Sequence, residues 1–138
     1  MNPSRILPLL VVLMVSAGVP ARAQDKPAPG DLAPVARVLT LEVAVPDGAW
    51  TLQFDEVWRM QGELWVFARV SRPEDALAAQ MITRLRAEVA VRLPPLPMKY
   101  FVLGKTWEWK NQEEVEWITE RSDAYRNRRR GERLWRRR

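Results

Sequence analysis

The sequence predicts a mainly β protein: about five to six strands in a small antiparallel sandwich or partly open barrel, then a C-terminal helix and a disordered basic tail. Two observations carry this prediction. Apolar and polar residues alternate with a period of two along several segments, which is typical of half-buried strands, and turn-forming residues separate those segments. After residue 110 the alternation gives way to a segment with acidic residues first and arginines last, which suits the dipole of a helix.

The N-terminal residues have the three-part organisation of a secretory signal peptide. Arg5 supplies positive charge, residues 6–19 form an apolar run, and residues 21–23 (ARA) fit a small-x-small cleavage site. The alternative is an uncleaved membrane anchor, but a spanning helix needs about 20 apolar residues, and this run is shorter and contains Pro8. We expect a signal peptide over residues 1–23, cleaved after Ala23. The mature protein would then be periplasmic or secreted and would have no transmembrane span.

The rest of the chain is long enough for one domain. Residues 24–35 are rich in Pro and Gly and predict a flexible linker, which leaves residues 36–110 as the β-rich domain. The chain has no cysteine but seven tryptophans. A small exported domain without disulfides depends on packing, so we expect tryptophan rings to enlarge the core. Trp50, Trp58 and Trp65 are assigned to the core or to cross-strand pairs.

The first three predicted strands form a meander. Alternation predicts strands over residues 37–45, 50–60 and 63–70, with tight turns at residues 46–48 and 61–62. The positions of one parity along the predicted strands give the expected core, which comprises Leu39, Leu41, Val43, Leu52, Phe54, Val66, Val89 and Val102.

Residues 71–93 are ambiguous. Ser71 and Glu74 fit a capping box, which favours one or two helical turns at 73–79. Alternation favours a long strand at 81–93. The alternative is a continuous helix through the whole stretch.

The last part of the chain is predicted to pass from strands to a helix and then to a disordered tail. Strands are predicted at 98–103 and 106–109, and a helix at 111–130, which has glutamates in its first turns and arginines in its last. Residues 131–138 are predicted to be a disordered basic tail, since blocks of like charge are usually disordered.

Several classes of chemistry are excluded by composition. The chain has neither histidine nor cysteine, which removes Ser-His and Cys-His nucleophilic pairs, zinc sites of the usual ligand types and thiol redox chemistry. No glycine-rich phosphate-binding loop occurs either. We therefore expect no cofactor and no metal, and a protein that is not an enzyme.

Carboxylates are the remaining catalytic groups. Asp55 and Glu56 are adjacent in the sequence, but neighbours on a regular strand point to opposite faces and would not line one cleft. We interpret them as surface acids. A carboxylate-only hydrolase acting on envelope polysaccharide is the alternative, and it would need two converging acids and a perturbed pKa.

Two tryptophans, Trp107 and Trp109, lie two residues apart, on one face of the predicted strand. They would either pack in the core or form an exposed aromatic platform for sugar rings. We favour the core, because a small disulfide-free domain needs the buried area.

The C-terminal segment, residues 126–138, has eight arginines against one glutamate. It is either a solvated run that aids solubility or a binding surface for a polyanion. Export disfavours nucleic acid as the partner, whereas acidic glycan or lipid fits the compartment, where Trp135 would dip into a membrane interface. The predicted anionic-surface residues are Arg126, Arg128, Arg129, Arg130, Arg133, Trp135, Arg136, Arg137 and Arg138.

The sequence therefore favours an exported, non-enzymatic binding or inhibitory module of the cell envelope. Its expected partner is an envelope protein, an anionic polymer or a lipid surface. The other alternative is a structural envelope protein that is tethered by its basic tail.

Overall fold

The computed structural model describes residues 32–138. The signal peptide predicted over residues 1–23 and most of the linker predicted over 24–35 lie outside the described residues. Within the described part, the chain forms seven strands and one short helix that ends in a 3-10 turn. These are β1 (Val35–Val45), β2 (Thr51–Met60), β3 (Glu63–Ser71), β4 (Thr83–Leu93), β5 (Met98–Leu103), β6 (Glu116–Ile118), α1 (Asp123–Asn127), the 3-10 turn (Arg128–Arg130) and β7 (Glu132–Arg136).

The strands form two sheets, so the prediction of a mainly β sandwich is confirmed. β1 and β4 make an antiparallel pair, and the other five strands form a sheet in the order β6-β5-β3-β2-β7. Both sheets are open and do not close into a barrel. The larger sheet is mixed rather than wholly antiparallel, because β5 runs parallel to β3 and β6 runs parallel to β5.

The predicted meander is only half correct. β2 and β3 pair as a hairpin, with Gly62 at positive φ in the turn, but β1 pairs with β4 along its whole length and not with β2. The physical reason lies in the turn after β1. Asp47 is buried there, accepting hydrogen bonds from the Ala49 backbone N–H and from Nε of Arg72, and the chain crosses to the other sheet.

The ambiguous stretch is resolved in favour of the strand. β4 begins at Thr83, so the predicted strand at 81–93 is confirmed, but the helical turns predicted at 73–79 do not form. A short helix needs an apolar face packed on the protein, and Leu77 is 99% exposed. The Arg72 side chain instead holds the loop, donating to the Ala76 carbonyl oxygen.

The main core lies between the two sheets. Of the eight residues predicted for it, Leu52 and Val89 are half-buried at its margin, and the other six are buried: Leu39, Leu41, Val43, Phe54, Val66 and Val102. Trp50 is buried there as well.

A second apolar cluster covers the opposite face of the five-stranded sheet. It is built around Trp58, Phe67 and Phe101, and α1 contributes Ala124 and Tyr125 to it. The molecule therefore has three layers: the β1–β4 pair, the five-stranded sheet and the short helix.

The helix predicted at 111–130 is wrong over most of its length. Residues 111–115 run beside β1, where the Asn111 amide nitrogen donates to the Ala44 carbonyl oxygen at 2.9 Å and Glu113 Oε1 accepts from the Ala44 N–H at 2.6 Å. Because these side chains bond to a strand edge, the backbone there does not coil into a helix. The strand predicted at 106–109 does not form either.

The predicted disordered tail is also wrong. β7 pairs antiparallel with β2, and Arg59 and Glu132 form an ion pair across the two strands. Gly131 permits this approach, since a Cβ atom there would lie 2.3 Å from the Arg59 carbonyl oxygen. In the described part of the chain, no helix is both long and apolar enough to cross a membrane.

Candidate functional site

A β-bulge in β2 gives the candidate site its geometry. Phe54 pairs with Ala68 and Glu56 pairs with Phe67, which leaves Asp55 as the extra residue. A bulge re-aims side chains, and here Asp55 and Glu56 both line a cavity of about 230 Å³ beside α1. The expectation that the two acids point to opposite faces is therefore wrong, because it assumed a regular strand.

Asp55 is held by two arginines from different parts of the chain. Its carboxylate lies 3.2 Å from Nε of Arg69 on β3 and 3.3 Å from Nη2 of Arg137, which follows β7. The Arg137 backbone N–H also donates to the Asp55 carbonyl oxygen at 2.9 Å. The bulge thus fixes the last residues of the chain to the sheet.

Glu56 lies among positive groups. Its carboxylate is 3.0 Å from Nε of Arg128 and 3.7 Å from Nη1 of Arg133, and it accepts a hydrogen bond from Nε1 of Trp58 at 2.8 Å. Burial alone would raise the pKa of Glu56. The hydrogen bonds from Trp58 and Arg128, and the positive charges of Arg128 and Arg133, outweigh burial and hold the pKa below its ordinary value.

This lowered pKa bears on the hydrolase alternative. A general acid at neutral pH needs a raised pKa, whereas Glu56 is held as a carboxylate and Asp55 is occupied by Arg69 and Arg137. Asp55 and Glu56 line one cavity, but each carboxylate is already paired with arginine side chains.

Arg128 is buried, with 7% of its surface exposed. Its guanidinium carbon lies 3.6 Å from the ring centroid of Tyr125 and 5.9 Å from that of Trp58, within the range of cation–π attraction. Nη1 also donates to the Tyr125 carbonyl oxygen. Arg128 therefore joins the C-terminal end of α1 to the outer face of the sheet.

Four arginines, one of which is Arg128, surround the carboxylate of Glu56. An open cavity of about 640 Å³ is lined by Glu56, Trp58, Arg128, Arg129, Arg133 and Arg136. We call these residues the arginine basin. The guanidinium carbon of Arg133 lies 5.7 Å from the Trp58 ring, so an indole forms part of its wall.

Two guanidinium groups of the arginine basin have no ionic partner in the part of the chain that the structure describes. Arg129 and Arg136 are exposed, and no carboxylate of residues 32–138 lies within 4 Å of either. Planar guanidinium groups bind carboxylate, phosphate and sulfate groups through paired N–H donors. The basin can therefore accept an anion without first breaking an ion pair.

The structure separates the other predicted tail residues from the basin. Arg126 pairs with Asp123 at 3.3 Å, and Arg130 lines a different cavity. Arg137 is bound to Asp55, whereas Arg138 is exposed at the end of the chain. The Trp135 ring is half-buried and packs against the main core.

The two tryptophans predicted as core or platform have different surroundings. Trp107 packs against the main core, with its ring centroid 5.1 Å from that of Trp50 and 5.3 Å from that of Trp117. Its Nε1 donates to Oδ1 of Asn111. Trp109 is 37% exposed and lies 5.4 Å from Trp107. Trp109 is therefore the more exposed of the two, and Trp107 is half-buried.

Sequence reasoning missed Glu56 as the centre of the basin. A usable signal was present, because Leu52 and Phe54 have the same parity and the next apolar residue, Val57, has the other. Such a break in parity marks a bulge.

In the described part of the chain, no group of three or more acidic side chains is placed to hold a metal ion. Comparison with protein-family models, with curated proteins and with solved structures gave no match to this chain.

Proposed function

We propose that the mature protein is an exported, non-enzymatic binding module of the cell envelope that holds an anionic polymer in its arginine basin. One observation supports this most strongly. Arg129 and Arg136 have no carboxylate partner among residues 32–138, and they line a cavity that is also lined by Arg128 and Arg133. Export rests on the signal peptide predicted over residues 1–23.

The geometry favours a polymer over a lipid surface. Binding at an anionic membrane is strengthened when an aromatic ring enters the interface, but Trp135 packs on the main core and pairs with Val57 across the strands. An open cavity wall of guanidinium groups and the Trp58 ring suits an acidic sugar, whose anionic group contacts arginine and whose ring contacts indole.

The test uses heparin as a soluble polyanion and dextran as its neutral counterpart. Wild-type protein should bind heparin and not dextran, and binding should weaken as salt rises, because the screening length falls from about 10 Å at 0.1 M to about 3 Å at 1 M. The double variant R129Q/R136Q should lose about tenfold in affinity or more, equivalent to about 1.4 kcal/mol.

The matched control is K110Q/R121Q, which removes the same charge at two exposed residues outside the basin. It should bind heparin nearly as well as wild-type protein. Equal losses in the two double variants would overturn the proposal. Binding to phosphatidylglycerol vesicles without binding to heparin would also overturn it and would assign the basin to a lipid surface.

A further inference from the structure

A second surface of the molecule, distant in sequence from the arginine basin, presents an open strand edge. β1 pairs only with β4 among the described strands. At Ala44, both the N–H and the carbonyl oxygen bond to side chains of the segment after β5, those of Glu113 and Asn111. Both backbone groups of Ala44 therefore point away from β4.

In an antiparallel pair, residues whose N–H and C=O point away from the partner strand recur at every second position. The backbone groups of Val38, Thr40 and Glu42 thus point away from β4 like those of Ala44, given their unbroken pairing with Ala90, Glu88 and Arg86. No other strand of residues 32–138 pairs with this edge.

This edge opens onto a groove of about 600 Å³. One wall is Thr40–Glu42 of β1, and the facing wall is Met98–Tyr100 of β5. β6 pairs with β5 only at Phe101–Leu103, so no described strand covers the outer edge of Met98–Tyr100. The groove therefore lies between two uncovered strand edges, which is the setting in which extended peptides add to sheets.

The charges of the groove favour a basic occupant. Its lining includes four glutamates and one lysine, Lys99. Glu42 is paired with Arg84 and Arg86, and Glu116 with Lys99. Glu113 and Glu114 have no cationic partner among residues 32–138 and leave the groove with unpaired negative charge. Moreover, Oε2 of Glu113 is buried and has no hydrogen-bond partner in the described part of the chain. A buried acceptor without a donor is costly, and the charge of this carboxylate adds to the negative potential of the groove.

We infer that this groove binds an extended, lysine- or arginine-containing segment of a partner polypeptide as an added strand along β1. Backbone hydrogen bonds would come from Val38, Thr40 and Glu42, and the glutamates would contact the basic side chains. This inference is independent of the arginine basin, which has the opposite charge.

The probe is a capped heptapeptide of alternating valine and lysine, and titration calorimetry measures its binding to the full mature protein. Two matched peptides serve as controls: one with glutamate in place of lysine, and one with alternate backbone nitrogens methylated. We expect the valine–lysine peptide to bind and both controls to bind at least tenfold more weakly. Equal binding of the methylated peptide would overturn strand addition, and equal binding of the glutamate peptide would overturn the basic occupant.

Two substitutions at one position test the edge itself. Thr40→Pro removes an outward N–H that takes no part in the pairing with β4, and proline is tolerated at such edges. Thr40→Val retains the N–H. We expect Thr40→Pro to lose at least tenfold in peptide affinity and Thr40→Val to retain it. Circular dichroism checks that both variants fold; if Thr40→Pro does not, the methylated peptide with wild-type protein decides. Unchanged affinity in folded Thr40→Pro would overturn the inference.

Discussion

Nε of Arg128 lies 3.0 Å from Oε2 of Glu56, and this contact joins the C-terminal segment to the bulge of β2. Both side chains are largely buried, with 9% and 16% of their surfaces exposed. The arginine basin depends on this contact, because it positions the 3-10 turn that contains Arg129. The segment that resembles a charged tail in the sequence is therefore part of the folded domain.

Arg128→Ala should be strongly destabilising. Removing one member of a buried ion pair leaves the other charge without compensation and costs about 3 to 5 kcal/mol. Urea denaturation would measure this as a lower free energy of unfolding. Arg129→Ala is the control, since exposed substitutions usually change stability by about 0.5 kcal/mol or less. Equal, small effects of both substitutions would contradict the docked arrangement.

The ion pair also predicts how stability depends on pH. The pKa of Glu56 is lowered in the folded protein, so its stabilising contribution is present above the ordinary value of 4.5 and is lost as pH falls through the lowered value. The free energy of unfolding should therefore fall less for Glu56→Gln than for wild-type protein between about pH 6 and pH 3. Parallel acid profiles for the two proteins would argue against this role of Glu56.

Gly104→Ala should reduce stability by at least about 3 kcal/mol. Gly104 has a φ of 99°, and a Cβ atom there would lie 2.1 Å from the Val70 carbonyl oxygen. Gly62→Ala is the matched control: its φ is 78°, but a Cβ atom would meet nothing within 4 Å, so only the backbone cost of about 1 kcal/mol applies. Thermal unfolding of both variants measures the difference, and similar losses would contradict the close approach at Val70.

Trp107→Ala should lower the free energy of unfolding by about 3 kcal/mol, at the lower end of the range for buried aromatic rings, because the Trp107 ring is half-buried against the main core. Its ring contacts Trp50 and Trp117, and its Nε1 bonds to Asn111. Trp109→Ala, at a more exposed position, should cost much less. If Trp107→Ala left stability intact and abolished glycan binding, the rings would form a sugar platform instead.

The strands could be predicted from the alternation of apolar and polar residues, because a regular strand buries every second side chain. Leu39, Leu41 and Val43 alternate along β1, and the structure buries all three. Parity does not say which strands pair. β1 and β4 come together across 37 intervening residues, and the contacts that select this pairing are not local in the sequence.

The C-terminal half of the site could not be predicted in the same way. Glutamates followed by arginines suit a helix dipole, but Glu113 bonds to the edge of β1, and Arg128 bonds to a carboxylate 72 residues earlier. Each of these long-range contacts has more influence than the weak helical preference. Gly131 directly follows the predicted helix, where glycine often ends a helix, but its small size is what lets β7 approach β2.

The most direct test of the arginine basin asks whether heparin affinity depends on where the arginines lie or only on how many there are. R129Q/R136Q and R126Q/R138Q each remove two arginines from the same C-terminal segment, but only the first pair lines the basin. Heparin affinity at one fixed salt concentration is the measurement. A preformed basin predicts a loss of about tenfold or more for R129Q/R136Q and a much smaller loss for R126Q/R138Q. Equal losses would show that the segment attracts polyanions by its total charge alone and would contradict a built site.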